Sequence, residues 1–232
     1  GSRELNYHLD KTKLAESKGY RCIHIWDWDD VDKIKAMFEP KVTVYGRQCE
    51  VVPITKSTSD LFLNNHHLQN SCSSDKLRFG LIFKDKLIGV MTFGDPRYNA
   101  HYQVELLRLC FHPKFKVIGG TEKLFKFFIN TYHPESIISY CDRSKFTGEV
   151  YQRLGMKRIS ENNPSIHWYN SSKNQHFTNN LLLARGADAL LGTHYGKGSD
   201  NEKIMHDQGF LRIADCGQTA YGIKFEQTSP VG

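Results

Sequence analysis

The sequence predicts an α/β (α+β) chain whose middle, residues 42–170, is a mixed sheet flanked by helices. Three observations carry that expectation. LRFGLIFKDKLIGVMTFG is two apolar strands around Lys84-Asp85-Lys86, a hairpin. YQVELLRLCF is a strand that leads through Gly119-Gly120 into an amphipathic helix, TEKLFKFFINTY. SIISYC is a second strand, followed by a helix over 144–154 that Gly155 stops. A hairpin followed by two strand–helix units packs as a mixed sheet with helices against it.

The other elements follow the same rules. Leu5, Leu9 and Leu14 mark one face of a helix over 5–18, with Gly19 as its stop. YRCIHIWDW, rich in β-branched and aromatic residues, predicts a strand, and an acid-opened helix from Asp29 to Phe38 ends before Pro40. Residues 1–41 are therefore expected as an α-β-α unit, too small to fold alone. CEVVPI is a strand, Ser57–Asp60 offer caps for a helix towards Leu68, 70–76 and HPKFKVIGG are loops, and MKRI and SIHWYN are short strands. Residues 171–232 form a C-terminal extension. It starts polar, places a helix at LLLARGADALL, and offers a capping box at Ser199-Asp200-Asn201-Glu202. LRIAD and AYGIKF are expected to pair as a hairpin through Cys216-Gly217-Gln218, with QTSPVG a disordered tail.

Of the 232 residues 39% are hydrophobic, enough for one large or two small cores. A net charge of +6 favours an anionic partner such as double-stranded DNA, though ordinary proteins reach this balance too. The six cysteines at 22, 49, 72, 110, 141 and 216 form no Cys-x-x-Cys pair, and several sit in apolar runs, which favours free thiols over a disulfide scaffold. No apolar run approaches the length of a membrane span and no signal peptide is present. Gly1-Ser2 reads as a cloning remnant, and the chain then begins inside a helical pattern, as a piece of a longer protein would. No His-x-x-x-His or Cys-x-x-Cys spacing occurs, and the adjacent His66 and His67 diverge on a helix, so no structural zinc is expected; a mononuclear catalytic metal stays open.

The segment CFHPKFKVIGGTEKLFKFF is the main chemical candidate. N–H groups at a helix start lack partners and attract anions, and paired glycines let a phosphate approach the main chain. Residues Lys116, Val117, Ile118, Gly119, Gly120 and Thr121 are therefore the candidate phosphate cradle, with an ordinary strand-to-helix turn as the plain alternative. Here the chain resembles the GNAT acyltransferase superfamily, whose Gln/Arg-x-x-Gly-x-Gly/Ala loop holds the coenzyme A pyrophosphate. Lys116 stands in the first place, Gly119 in the second and Thr121 in the third. YQRLGMKRI resembles the family's Tyr-x-x-x-Gly-Phe pattern, with Met156 for the phenylalanine. The resemblance implies acetyl-CoA or a related acyl-CoA as cofactor, Tyr151 as the acid for the leaving thiolate, and loss of coenzyme binding in a Gly120→Glu variant.

Other polar positions have two readings each. Strict alternation puts Glu105 with Leu107 and Leu109, and Arg108 with Leu106 and Cys110. Glu105 is either a base for a substrate amine or half of an ion pair. Asp142, beyond strand SIISYC, is either a site residue or a helix cap, a role Ser144 also fits. Arg108, Arg143, Lys145 and Lys197, the last in Tyr195-Gly196-Lys197-Gly198, are the candidate DNA contacts. Tyr140, His167, Trp168 and Tyr169 are either base-stacking or core aromatics.

The flanks add a second resemblance. Tyr7, His8 and Lys11 match the Tyr-His-x-x-Lys pattern of Vsr-like nuclease domains in phage homing endonucleases, without that fold's metal-binding carboxylates. The whole is similar to phage Hef-like proteins with a Mom-type, GNAT-like DNA-modification module. That resemblance implies a phage-encoded protein acting in the host cytoplasm. The expected function is acyl-type transfer from a CoA donor to a DNA base amine, with Glu105, Asp142 and Tyr151 catalytic. A catalytically silent DNA-binding module of a homing endonuclease, or a protein N-acetyltransferase, are the alternatives.

Overall fold

A computed structural model describes residues 4–185, 191, 192, 195, 196 and 200–226. Its helices are α1 (Tyr7–Ser17), α2 (Val31–Ala36), α3 (Lys56–His66), α4 (Gly120–Tyr132), α5 (Glu149–Arg153), α6 (Asn179–Arg185) and α7 (Asn201–Asp207). The strands are β1 (Val42–Tyr45), β2 (Glu50–Pro53), β3 (Asp75–Phe83), β4 (Lys86–Gly94), β5 (Val104–Phe111), β6 (Phe115–Ile118), β7 (Ser136–Asp142), β8 (Lys157–Glu161), β9 (Ile166–Asn170), β10 (Gln175–Thr178), β11 (Leu211–Ala214) and β12 (Gln218–Lys224).

The mixed α/β architecture is the expected one. Seven strands form one sheet in the order β2-β3-β4-β5-β7-β12-β8. β2 through β5 pair antiparallel, and β5 pairs parallel with β7. The β3–β4 hairpin turns at Lys84 and Asp85, both left-handed with φ of 46° and 63°. Helices pack on both faces of this sheet. Phe62 and Leu63 of α3 meet Val90 and Cys110 on one. Phe128 of α4 stacks on Phe93 at 3.7 Å on the other, beside Phe79.

The chain divides into two compact units that cut across the expected linear boundaries at 41 and 170. Unit 1 is Gly1–Asp29, Cys141–Thr147 and Glu161–Thr219; unit 2 is Asp30–Tyr140, Gly148–Ser160 and Ala220–Gly232. The last strand explains the cut: β12 does not turn back on β11 as a hairpin but lies between β7 and β8 in the large sheet. β11 instead pairs with β9, and β9 with β10, a strand in the stretch read as a polar loop. Trp168, Leu182, Tyr195, Met205 and Phe210 form the core under this small sheet.

Three further expectations are corrected. Residues 20–28 form no strand. The alternate side chains His24, Trp26 and Trp28 stack on one another instead, at 5.4 and 5.7 Å, with Trp28 flat against His176 at 4.1 Å. HPKFKVIGG is not all loop, since β6 pairs parallel with β1. The helix expected over 144–154 is only α5, because Gly148 enters it at φ 83° after a turn closed on Asp142. The tail QTSPVG and Lys197 lie outside the described residues.

Unit 1 carries a pH signature. Burial first, then neighbouring positive groups, lowers His24 to about 4; burial and His167 lower His176 to about 4. A base whose folded value lies below its ordinary 6.5 binds fewer protons folded than unfolded between the two. Stability is therefore complete above pH ~6.5 and declines as pH falls towards 4. The melting temperature is expected to drop steadily across that window, and a flat profile would remove both histidines from the account.

Candidate functional site

The site is built in unit 2 around β5. At its middle the antiparallel register with β4 slips: Thr92 faces Arg108, Phe93 faces Leu106, and Leu107 is the extra residue. Strict alternation therefore fails. Glu105, opposite Gly94, shares a face with Arg108, opposite Thr92, because Thr92 and Gly94 lie two apart on β4. Cys110, opposite Val90, lies on the same α3 face.

Glu105 is buried and fully engaged. Its Oε2 accepts the Arg97 main-chain N–H at 2.8 Å, and its Oε1 accepts Arg97 Nε at 3.0 Å. The ion-pair reading of this residue describes its contacts, with the partner arising from the β4–β5 loop. The Arg97 guanidinium also lies 5.4 Å from the exposed Tyr98 ring, which meets Tyr140 of β7 edge-on at 5.5 Å. Arg97 and Tyr98 escaped the sequence reading because an irregular loop has no period to mark them.

Arg108 is not a free DNA contact. Nε donates to Asn70 O at 2.9 Å and Nη1 to Leu107 O at 2.9 Å, and burial lowers its affinity for its proton. It braces the loop after α3 against β5.

Beside this face the sheet opens. β5 and β7 pair only at Val104–Ile137 and Glu105–Ile138, although both strands run on. One side chain spans the next step, where Ser139 Oγ donates to Leu106 O at 2.8 Å. On the β7 side of the gap, Tyr151 donates its hydroxyl to Tyr140 O at 3.4 Å and stacks on Tyr221 at 5.1 Å.

β5 leads to the glycine turn. α4 starts at Gly120 with Gly119 as its left-handed cap residue, φ 73°, and no side chain caps the helix. A side chain at Gly119 would meet nothing within 4 Å, so its outer side is open. Gly120 differs: it is buried, and a Cβ there would lie 2.6 Å from Val117 Cγ1 and 3.1 Å from Phe111. Its lack of a side chain serves packing, so Gly120→Glu would test the fold rather than the ligand. Thr121 is buried too. Lys116, Val117 and Ile118 belong to β6, so the cradle narrows to the open side of Gly119 and the first turn of α4, with Lys116 exposed on the strand before it. The turn at Gly46 lies against the Gly119 carbonyl, 2.7 Å from where its Cβ would stand.

The remaining candidates fall in unit 1. Asp142 Oδ1 accepts the Ser144 N–H at 2.8 Å, closing a turn rather than capping a helix, and burial raises its carboxyl above the usual range. Lys145 is buried, bonded to Asp29 and to the His24 carbonyl, and is therefore no surface contact. Arg143 pairs with Glu161 at 3.2 Å and donates to Asn162 O. Trp168 is core, donating to the Tyr195 hydroxyl at 3.0 Å. His167 bridges His176 at 2.9 Å and Asp215 at 3.1 Å, and Tyr169 lies by Trp28. His8 packs edge-on against Trp26 at 4.9 Å. Among the described residues no cluster of three or more His, Cys, Asp or Glu side chains is placed to hold a metal, and no helix is long and apolar enough to cross a membrane.

No family model and no curated protein sequence matches the chain. Solved structures do. A GNAT family acetyltransferase from Elizabethkingia anophelis with acetyl-CoA bound superposes with a TM-score of 0.42 at 10% identity, over 77% of this chain and 99% of that one. A Bacillus subtilis acetyltransferase in complex with CoA gives 0.41 at 10% identity, over 77% and 99%. An N-acetyltransferase from Staphylococcus aureus Mu50 gives 0.43 at 10%, over 77% and 99%. Likeness at this level assigns neither activity nor ligand to this chain.

Proposed function

We propose that unit 2 is a CoA-dependent acyltransferase of GNAT type, and that its acceptor is an amine on a DNA base. The observation that carries the transfer reading is the gap between β5 and β7, continuous along the chain with the open Gly119 mouth of α4. An acyl-CoA has the matching parts. Its pyrophosphate suits the positive end of a 13-residue helix. Its amide-bearing arm suits two strands that part after two residue pairs. The thioester then lies between β5 and β7, where Tyr151 stands on the β7 side.

The acceptor nitrogen attacks the thioester carbonyl, the C–S bond breaks, and Tyr151 gives its proton to the departing thiolate. The proton lost by the amine leaves to solvent, since Glu105 is occupied by Arg97. Support for a base-bearing acceptor is the pair of rings beside that face, Tyr98 and Tyr140. The net charge of +6 favours an anionic one.

Labelled acetyl-CoA incubated with the full chain and duplex DNA tests both parts. Label is expected on DNA, with transfer falling steeply as salt rises. Tyr151→Phe should lower kcat about 100-fold with KM little changed. Label on added protein instead of DNA would replace the acceptor. Salt-sensitive DNA binding without any transfer would favour the silent DNA-binding module.

A further inference from the structure

In unit 1, β11 pairs with β9 on one side, and no strand among the described residues lies on its other side. The register tells which main-chain groups it turns outward. Asp215, next after β11, donates its N–H to Ser165 O at 3.0 Å and so continues the ladder with β9. In an antiparallel pair the main-chain groups of successive residues point alternately to one edge and the other. Leu211 and Ile213 therefore share the inward direction of Asp215, while Arg212 and Ala214 turn their N–H and C=O away from β9. Those outward groups meet no main-chain partner among the described residues.

A cavity of about 390 Å³ runs along this edge. A cavity on one face of a strand touches every second residue. This one is lined by Leu211, Arg212, Ile213 and Ala214 in succession, so it follows the edge. At roughly 3.3 Å of rise, 4.8 Å between strands and 10 Å between layers, it takes about two to three residues of an extended chain. Ile25, Trp26 and Asp27 line it too, and they are not part of the sheet. The room beside β11 is thus bounded by a second stretch of chain. It admits a single strand, whereas the β11 of a second copy would arrive with its own three-stranded sheet behind it.

The side chains of such a guest alternate as those of β11 do. Leu211 and Ile25 are exposed and offer it apolar contacts. Glu4 and Asp27 are exposed carboxylates with no ion pair among the described residues, against the one guanidinium of Arg212. We infer that the outer edge of β11 docks an extended peptide segment of another protein, its apolar and basic side chains alternating, which joins the small sheet as a further strand. The inference concerns unit 1 and goes beyond the acyltransferase reading of unit 2.

The probe is a dye-labelled, amidated pentapeptide of alternating valine and lysine, titrated into the full chain and followed by fluorescence anisotropy. Saturable binding is expected. Hydrogen exchange at the Arg212 and Ala214 amides should slow at least about tenfold, while Leu211 and Ile213, already turned to β9, stay unchanged. The same peptide N-methylated at every residue keeps its side chains but has no N–H to donate, and should not bind. With glutamate in place of lysine it should bind about tenfold more weakly. Ala214→Pro removes an outward N–H and leaves the β9 ladder whole, so it should fold and lose the peptide. Full affinity of the N-methylated peptide, unchanged binding to Ala214→Pro, or no saturable binding of the valine–lysine peptide at millimolar concentration overturns the inference. Equal binding of the glutamate peptide overturns the basic partner. If sedimentation shows a dimer that Ala214→Pro dissociates, a second copy takes the edge and the inference falls. Should Ala214→Pro not fold, the exchange pattern and the N-methylated peptide decide the matter on the wild-type chain.

Discussion

Acetyl-CoA raises the melting temperature of the wild-type chain, and Gly119→Asp removes the rise: this is the expected outcome with the largest consequence. A ligand at about a hundredfold excess over its Kd stabilises the folded state by about 2.7 kcal/mol. For a chain of this size each kcal/mol is worth roughly 2–4 °C. Gly119 is the right position because its outer side is open and its residue already adopts φ 73°, a conformation aspartate tolerates for about 1 kcal/mol. The introduced carboxylate puts a negative charge where the pyrophosphate would settle and competes for the first-turn N–H groups of α4. The free variant should therefore melt within a few degrees of wild type yet ignore the coenzyme. A shift that survives Gly119→Asp moves the cradle elsewhere, and no shift in the wild type at millimolar acetyl-CoA ends the acyltransferase reading.

Arg97→Met is expected to destabilise unit 2 more than Glu105→Gln, although both break the same ion pair. Glu105 has 1% of its side chain exposed, whereas Arg97 has 35%. Removing the guanidinium strands a carboxylate in the interior, at a cost of about 3 kcal/mol. Glutamine at 105 still accepts the Arg97 main-chain N–H and leaves a guanidinium free to turn to water, a loss of about 1–2 kcal/mol. Urea denaturation of the two variants gives the order. The reverse order would mean that Glu105 draws its compensation from another group. Substantial acyl transfer remaining in Glu105→Gln would also fit a carboxylate that positions Arg97, while total loss would restore it as the base.

The hairpin at Lys84-Asp85, the strand over 104–111 and the glycine entry to α4 were legible in the sequence, as was the stop of the Tyr151 helix near Gly155, though not its start. Each depends on neighbours within a few positions: alternation, a left-handed turn, a helical stripe, a glycine stop. Glu105 was visible as an anomaly, a carboxylate in an apolar strand, but its face was misjudged. A single extra residue, Leu107, reverses the alternation, and nothing in the local pattern announces a bulge. Lys145 and Arg108 read as candidate DNA contacts because their lysine and arginine identities carry no record of the carbonyls they bind.

The sequence by itself determined which segments are helices and strands through most of unit 2, and that a glycine opens the central helix, because these follow from short-range sterics and periodicity. Only the tertiary structure decided that β12 crosses from the chain's end into the middle of the large sheet, that Trp26 and Trp28 stack instead of joining a ladder, and that β5 and β7 part after two residue pairs. Those outcomes are set by contacts between residues far apart in the chain, whose free energies are absent from any local window.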